Sequence, residues 1–148
     1  IPPTPTDCEK NWIPIPGTDQ IIYGWHPFTV GHANPEFVAD TLVQPTPAFC
    51  RHMRGSSPLV RDDDFYYGIT HCVIYGNPRK YYHSVVKVRI SDCKFTSYSH
   101  PFYFFDNAIE YCLGYTKVGT FHTVTISRND ASPTLVSFED SQLYWCDL

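Results

Sequence analysis

Strict alternation between Asp64 and Phe95 is what most constrains this chain. DFYYGITHCVIY, Asp64 to Tyr75, mixes aromatic and β-branched residues with the side-chain period of a strand. Gly76-Asn77-Pro78 interrupts it, and YYHSVVKVRISDCKF, Tyr81 to Phe95, resumes it. On the second run Tyr82, Ser84, Val86, Val88 and Ile90 point one way. Tyr81, His83, Val85, Lys87 and Arg89 point the other. The first set reads as core-facing and the second as solvent-facing, so Tyr75 to His83 reads as the turn and flanks of a β-hairpin.

Further strands are expected at Gln20 to Trp25, Pro101 to Phe105, Phe121 to Arg128, Thr134 to Phe138 and Gln142 to Cys146. Asp106 to Tyr115 is ambiguous but leans to strand, because Ile109, Tyr111, Leu113 and Tyr115 alternate. The first 16 residues carry five prolines and read as an extended arm. One helix of about ten residues is expected in NPEFVADTLV. There Asn34 would cap, Pro35 would take the first helical position and Glu36 would complement the dipole. Pro45 and Pro47 would stop it. The sum is a mainly antiparallel β fold of α+β class. It would be a single twisted sheet or barrel of about six to eight strands, with one short helix in the N-terminal third. One domain, residues 1–148, would hold it all.

The six cysteines Cys8, Cys50, Cys72, Cys93, Cys112 and Cys146 form no C-x-x-C pair. An even number spread over the chain suits disulfides in an oxidising compartment. Joining Cys8 to Cys146 would tie the termini and stabilise by roughly 4–5 kcal/mol in the chain-entropy account. The chain begins with Ile1, as a processed secreted protein does, so a secreted, extracellular location is expected. Net charge is −4, which argues against a generic nucleic-acid binder. No apolar run approaches the roughly 18–20 residues of a membrane span.

Chemistry-bearing motifs are scarce. The seven histidines show no metal-ligand spacing, so neither metal nor cofactor is expected. Arg61-Asp-Asp-Asp-Phe65 lacks the spaced ligands and glycine of a calcium loop. There is no G-x-S-x-G, and Gly55-Ser56-Ser57-Pro58 reads as a linker. The outer face of the hairpin stands out instead. It would carry Arg79, Lys80, Tyr81, His83, Lys87 and Arg89, a basic and aromatic group on an acidic protein. The principal reading is therefore a secreted, effector-like interaction protein, not an enzyme. Its partner would be another protein or an extracellular anionic ligand, bound through that face.

Two alternatives come from other classes. The layout resembles that of the microbial guanyl-specific ribonucleases and fungal ribotoxins, which are small, secreted and tyrosine-rich with a short helix and an antiparallel sheet. Their order is His, Glu, Arg, His. His83 and Glu110 fall on the first two and Arg128 on the third, and no histidine follows Arg128. The resemblance implies a secreted endoribonuclease acting on RNA through His83, Glu110 and His122, or a catalytically dead relative. The third reading is a lipocalin-like small-molecule carrier with an aromatic-lined barrel. Trp25 follows Gly24 directly, one residue short of the Gly-x-Trp opening of that family.

Overall fold

The structure is a computed structural model that describes residues 11–32, 38–106 and 108–148. Its strands are β1 (Ile13–Pro14), β2 (Gln20–Trp25), β3 (Phe28–His32), β4 (Val38–Gln44), β5 (Arg54–Gly55), β6 (Val60–Asp62) and β7 (Phe65–Ile74). They continue with β8 (Lys80–Arg89), β9 (Phe95–Ser99), β10 (Glu110–Val118), β11 (Phe121–Arg128), β12 (Ser132–Glu139) and β13 (Trp145–Asp147). They form three antiparallel sheets, ordered β1-β2-β3-β4, β13-β9-β8-β7-β5 with β6 also on β7, and β10-β11-β12. None closes into a barrel. The expectation of a single sheet or barrel is therefore corrected to three sheets.

The β7–β8 hairpin is the centre. Its register pairs Phe65 with Arg89 through to Ile74 with Lys80. Side-chain alternation follows the sequence expectation, but both faces are covered. Tyr66, Val86 and Val88 join Ile22, Trp25, Phe28 and Val30 of the β1–β4 sheet in one core cluster. Tyr67, Ile69 and Val85 join Tyr115, Val124 and Ile126 of the β10–β12 sheet in the other. A short apolar-rich run with few charges cannot by itself report whether its second face is wet.

Side chains take the place of backbone ladders where the sheets meet. Gln44 donates through Nε2 to the Phe95 carbonyl at 2.8 Å and accepts the Phe95 amide at 3.1 Å. The Ser57 hydroxyl accepts the Ile69 amide at 2.8 Å, while the Ser56 and Ser57 amides both donate to the Ile69 carbonyl. Gly55 is required beside them. A Cβ there would stand 2.5 Å from the Asn11 carbonyl oxygen and 2.5 Å from Ile13 Cγ1.

The expected helix is not formed from Val38 onward. Val38–Gln44 is a strand whose register sets His32 opposite Val38 and Phe28 opposite Gln44. Asn34, Pro35, Glu36 and Phe37 lie outside the described residues. The helix signal is local, and pairing with β3 holds Val38–Gln44 extended instead. Among the described residues the helical segments are two short 3₁₀ turns, Ala48–His52 and Asp140–Gln142. Pro101 to Phe105 is also not a strand; Phe102 makes one isolated bridge to His83. Of the expected arm, residues 1–10 lie outside the described residues, and Ile13 and Ile15 are buried, 3% and 1% exposed.

The disulfide expectation is overturned as well. Cys50, Cys72, Cys93, Cys112 and Cys146 are free thiols, and Cys8 lies outside the described residues. Cys50 sits in one core cluster and Cys112 in the other, with the central sheet between them. Burial pushes the Cys50 thiol up to about 11 and the Cys112 thiol up to about 12, so neither is a ready thiolate. Adding a reductant should therefore leave the melting temperature unchanged. Cys50 and Cys112 should react with a thiol reagent only on unfolding, as followed by absorbance during denaturant titration. Substituting Gly55 with Ala should destabilise by about 1–3 kcal/mol through overpacking, read from denaturant unfolding.

Candidate functional site

The six residues expected on one outer face separate. Arg79 stays exposed at the hairpin tip, its guanidinium 5.6 Å from the Tyr81 ring centroid. Lys80 is on the opposite parity. Its ammonium lies 3.6 Å over the Tyr103 ring and 5.6 Å from that of Tyr82. Tyr81 turns inward against His71 and Tyr111. Lys87 lies over Phe65 at 4.1 Å, and Arg89 makes a two-bond pair with Asp92 at 2.9 Å. His83 is fully buried, which corrects its outer-face assignment. The β10–β12 sheet covers that face.

The tip outruns its neighbours. β5 pairs with β7 only at Thr70 and His71, and the bridge to Phe102 reaches β8 only at His83. Among the described residues no third strand pairs with Cys72–Ile74 or with residues 80–82. Ile74 and Tyr75 are 59% and 84% exposed. Two shallow clefts meet at Pro101, beside the tip. One, about 460 Å³, is lined by Phe49, His52, Ile74 and Tyr82. The other, about 480 Å³, is lined by Tyr103, Phe138 and Tyr144. Neither cleft has a carboxylate in its lining.

The three residues of the ribonuclease reading go to two places. His83 donates through Nε2 to Glu110 Oε2 at 3.1 Å, both 1% exposed or less. Glu110 also accepts the amides of Phe104 and Phe105. Arg128 stands opposite Glu110 in the β10–β11 register, its guanidinium 4.2 Å over Phe105. Burial alone would raise the Glu110 carboxyl. The His83 bond and the two amides outweigh it and hold the group below its ordinary value of 4.5. His83 Nδ1 has no hydrogen-bond partner among the described residues.

His122 stands apart, on the far side of an aromatic wedge. Its ring stacks on Phe138 at 4.9 Å, and Phe138 packs on Phe102 and Phe104, which flank His83. Nδ1 of His122 meets the Tyr115 hydroxyl at 2.8 Å, and Nε2 meets Asp140 Oδ1 at 2.5 Å. Asp140 also lies 3.7 Å from Lys117 Nζ, which pairs with Asp62 at 2.5 Å. This network joins β6, β10 and β11 through one buried ammonium. Burial pushes His122 below its ordinary value of 6.5, and the Asp140 bond offsets only part of that.

A pairing that the sequence reading passed over lies in Gly55-Ser56-Ser57-Pro58. Ser56 Oγ is 2.7 Å from His71 Nδ1, and His71 is 4% exposed. The ring of His71 packs on Tyr111 at 5.3 Å and Tyr81 at 5.6 Å. Ser56 and Tyr111 line a cleft of about 460 Å³ with Trp12, Pro14, Pro58 and Leu59. Only the register of β5 on β7, Arg54 opposite His71, makes the pairing visible. Among the described residues no group of three metal-ligating side chains converges.

Comparison with protein-family models, curated proteins and solved structures found no match to this chain.

The two buried networks set a pH dependence. Glu110 and His122 each have a folded-state pKa below the unfolded value, so each contributes stability that is present above that value and lost as pH falls. Thermal melting should vary little between pH 6.5 and 9.0, where His122 is mostly neutral and the buried Cys50 and Cys112 thiols are protonated in both states. It should fall below 6.5, then fall again below 4.5 as the unfolded chain takes up protons at Glu110. Glu110→Gln should remove the second fall. A melting temperature that rises on acidification from pH 7 to 5 would contradict the His122 assignment.

Proposed function

We propose that this protein is a binding module that captures an extended, acidic segment of a partner protein along the β7–β8 hairpin tip. The observation that carries the reading is Lys80 seated 3.6 Å over the exposed Tyr103 ring, beside the exposed Ile74 and Tyr75. Cations held on aromatic faces present charge without losing apolar contact area. The free backbone edges at 72–74 and 80–82 suit addition of a strand, with main-chain bonds for affinity and flanking clefts for side chains. Arg79 and Lys80 favour an acidic segment over a basic one, on a protein whose net charge is −4.

The active set is smaller than the six residues expected from sequence: Arg79 and Lys80 with the tip aromatics, while Tyr81, His83, Lys87 and Arg89 serve the fold. An extracellular setting stays part of the proposal but loses the support that paired cysteines would have given it. The endoribonuclease reading would rest on His83, Glu110 and His122, which are all buried, and so has less support than the tip. The carrier reading finds no barrel to hold a ligand.

The test uses immobilised peptides in which Asp or Glu alternates with apolar residues, against matched peptides carrying Lys. Wild type should prefer the acidic series. Arg79→Glu with Lys80→Glu should weaken that binding at least about tenfold, roughly 1.4 kcal/mol, without lowering the melting temperature. Equal binding by the reversed variant sinks the proposal. Retention on anionic lipid vesicles without any peptide preference would sink it too, and would move the tip to a membrane surface.

A further inference from the structure

Ser56 is held more tightly than a linker serine. Its amide and that of Ser57 fork onto the Ile69 carbonyl at 3.0 and 3.2 Å, and Gly55 fixes the close approach of the 11–13 segment. The hydroxyl is thereby aimed at His71 Nδ1, 2.7 Å away. His71 is oriented in turn by ring contacts on two sides, Tyr81 and Tyr111. The far wall of the cleft is apolar, with Trp12, Pro14, Pro58 and Leu59. Tyr111 lines the same cleft. Burial pushes the Tyr111 phenol up, as do the neighbouring Cys112 and Tyr81, more than Ser56 pulls it down. It therefore stays a hydrogen-bond donor at neutral pH.

We propose that Ser56 and His71 form a nucleophile–base pair that hydrolyses small esters with apolar acyl groups in this cleft. A serine hydroxyl is weak until an adjacent base can take its proton, and a base within 2.6–3.2 Å is the geometric requirement. Ser56 Oγ attacks the acyl carbonyl carbon while its proton passes to His71 Nδ1. The oxyanion that forms is met by the Tyr111 hydroxyl. The ester C–O bond breaks, and His71 returns the proton to the departing alcohol. Water then attacks the acyl-serine by the same route, giving the carboxylic acid and restoring Ser56. Nothing is oxidised or reduced, and water is the one co-reactant. The activity is independent of the hairpin tip, since neither Arg79 nor Lys80 lines the cleft.

The full chain is treated with a fluorophosphonate and, separately, with p-nitrophenyl butyrate. One adduct per chain should form, and peptide mapping should place it on Ser56. Ser56→Ala should lose both the adduct and the hydrolysis above background while still unfolding cooperatively, at a modestly lower melting temperature because His71 loses its Ser56 bond. Tyr111→Phe should lower kcat by about 10²–10³-fold with little change in KM, as expected for loss of one oxyanion donor. Ser57→Ala should keep the adduct, because its hydroxyl serves Ile69 and Pro58 and not His71. No adduct, an adduct on another residue, or hydrolysis undiminished in Ser56→Ala each overturns the proposal. In that outcome the Ser56–His71 bond serves only to satisfy a buried imidazole.

Discussion

Burial of both faces of the β7–β8 hairpin is the constraint on which the rest of the structure depends. A ten-residue pair covered on one side needs one apolar face. Covered on both sides, it must also dispose of every polar group on the second face. His71, His83 and Lys87 are on that face, the two histidines opposite each other in register and Lys87 opposite Tyr67. Each is handled by a device drawn from the sheet above or from a flanking loop. His71 takes Ser56, His83 takes Glu110, and Lys87 lies over the rings of Phe65 and Tyr67.

The same constraint explains why side chains replace backbone at the seams. Short strands flank long ones here, so ladder bonds run out before the hairpin does. A buried amide left unpaired costs about 1–3 kcal/mol. Gln44 on Phe95, Ser57 on Ile69 and Ser99 on Val85 each supply the missing partner from a short polar side chain. The Lys117 ammonium does similar work for charge, holding Asp62 and Asp140 near one point at the rim of the second core. Removing one member of such a set strands the others, which is why these polar residues belong to the fold and not only to its surface.

Much of the strand content was legible from period alone. Gln20 to Trp25 and Phe121 to Arg128 have the bounds that alternation gives them, and the parity of β8 is as read. What alternation does not carry is the number of layers. His83 and Lys87 look solvent-facing because only polar groups with unseen partners occupy those positions; Glu110, the partner of His83, is 27 residues away. The helix expected from Asn34 and Pro35 failed at Val38 because β3 offered a backbone partner that no local signal announces. The cysteines failed as a disulfide framework for a related reason. Even count and wide spacing say nothing of which side of a sheet each thiol occupies, and Cys50 and Cys112 occupy opposite sides.

This separates two kinds of polar residue that look alike in one dimension. A buried histidine with both ring nitrogens engaged, as in His122 between Tyr115 and Asp140, spends its chemistry on holding sheets together. A polar group at the end of a short strand, with a cleft beside it and its partner beneath, is differently placed. Ser56 is such a group, because β5 ends at Gly55 and leaves the hydroxyl between His71 and open space. Arg79 and Lys80 are such groups at the other end, because the hairpin continues where β5 and the Phe102 bridge have stopped. Mismatch in strand length is thus what creates both exposed sites: wherever the central hairpin is fully matched by its neighbours, its polar side chains are consumed by the fold.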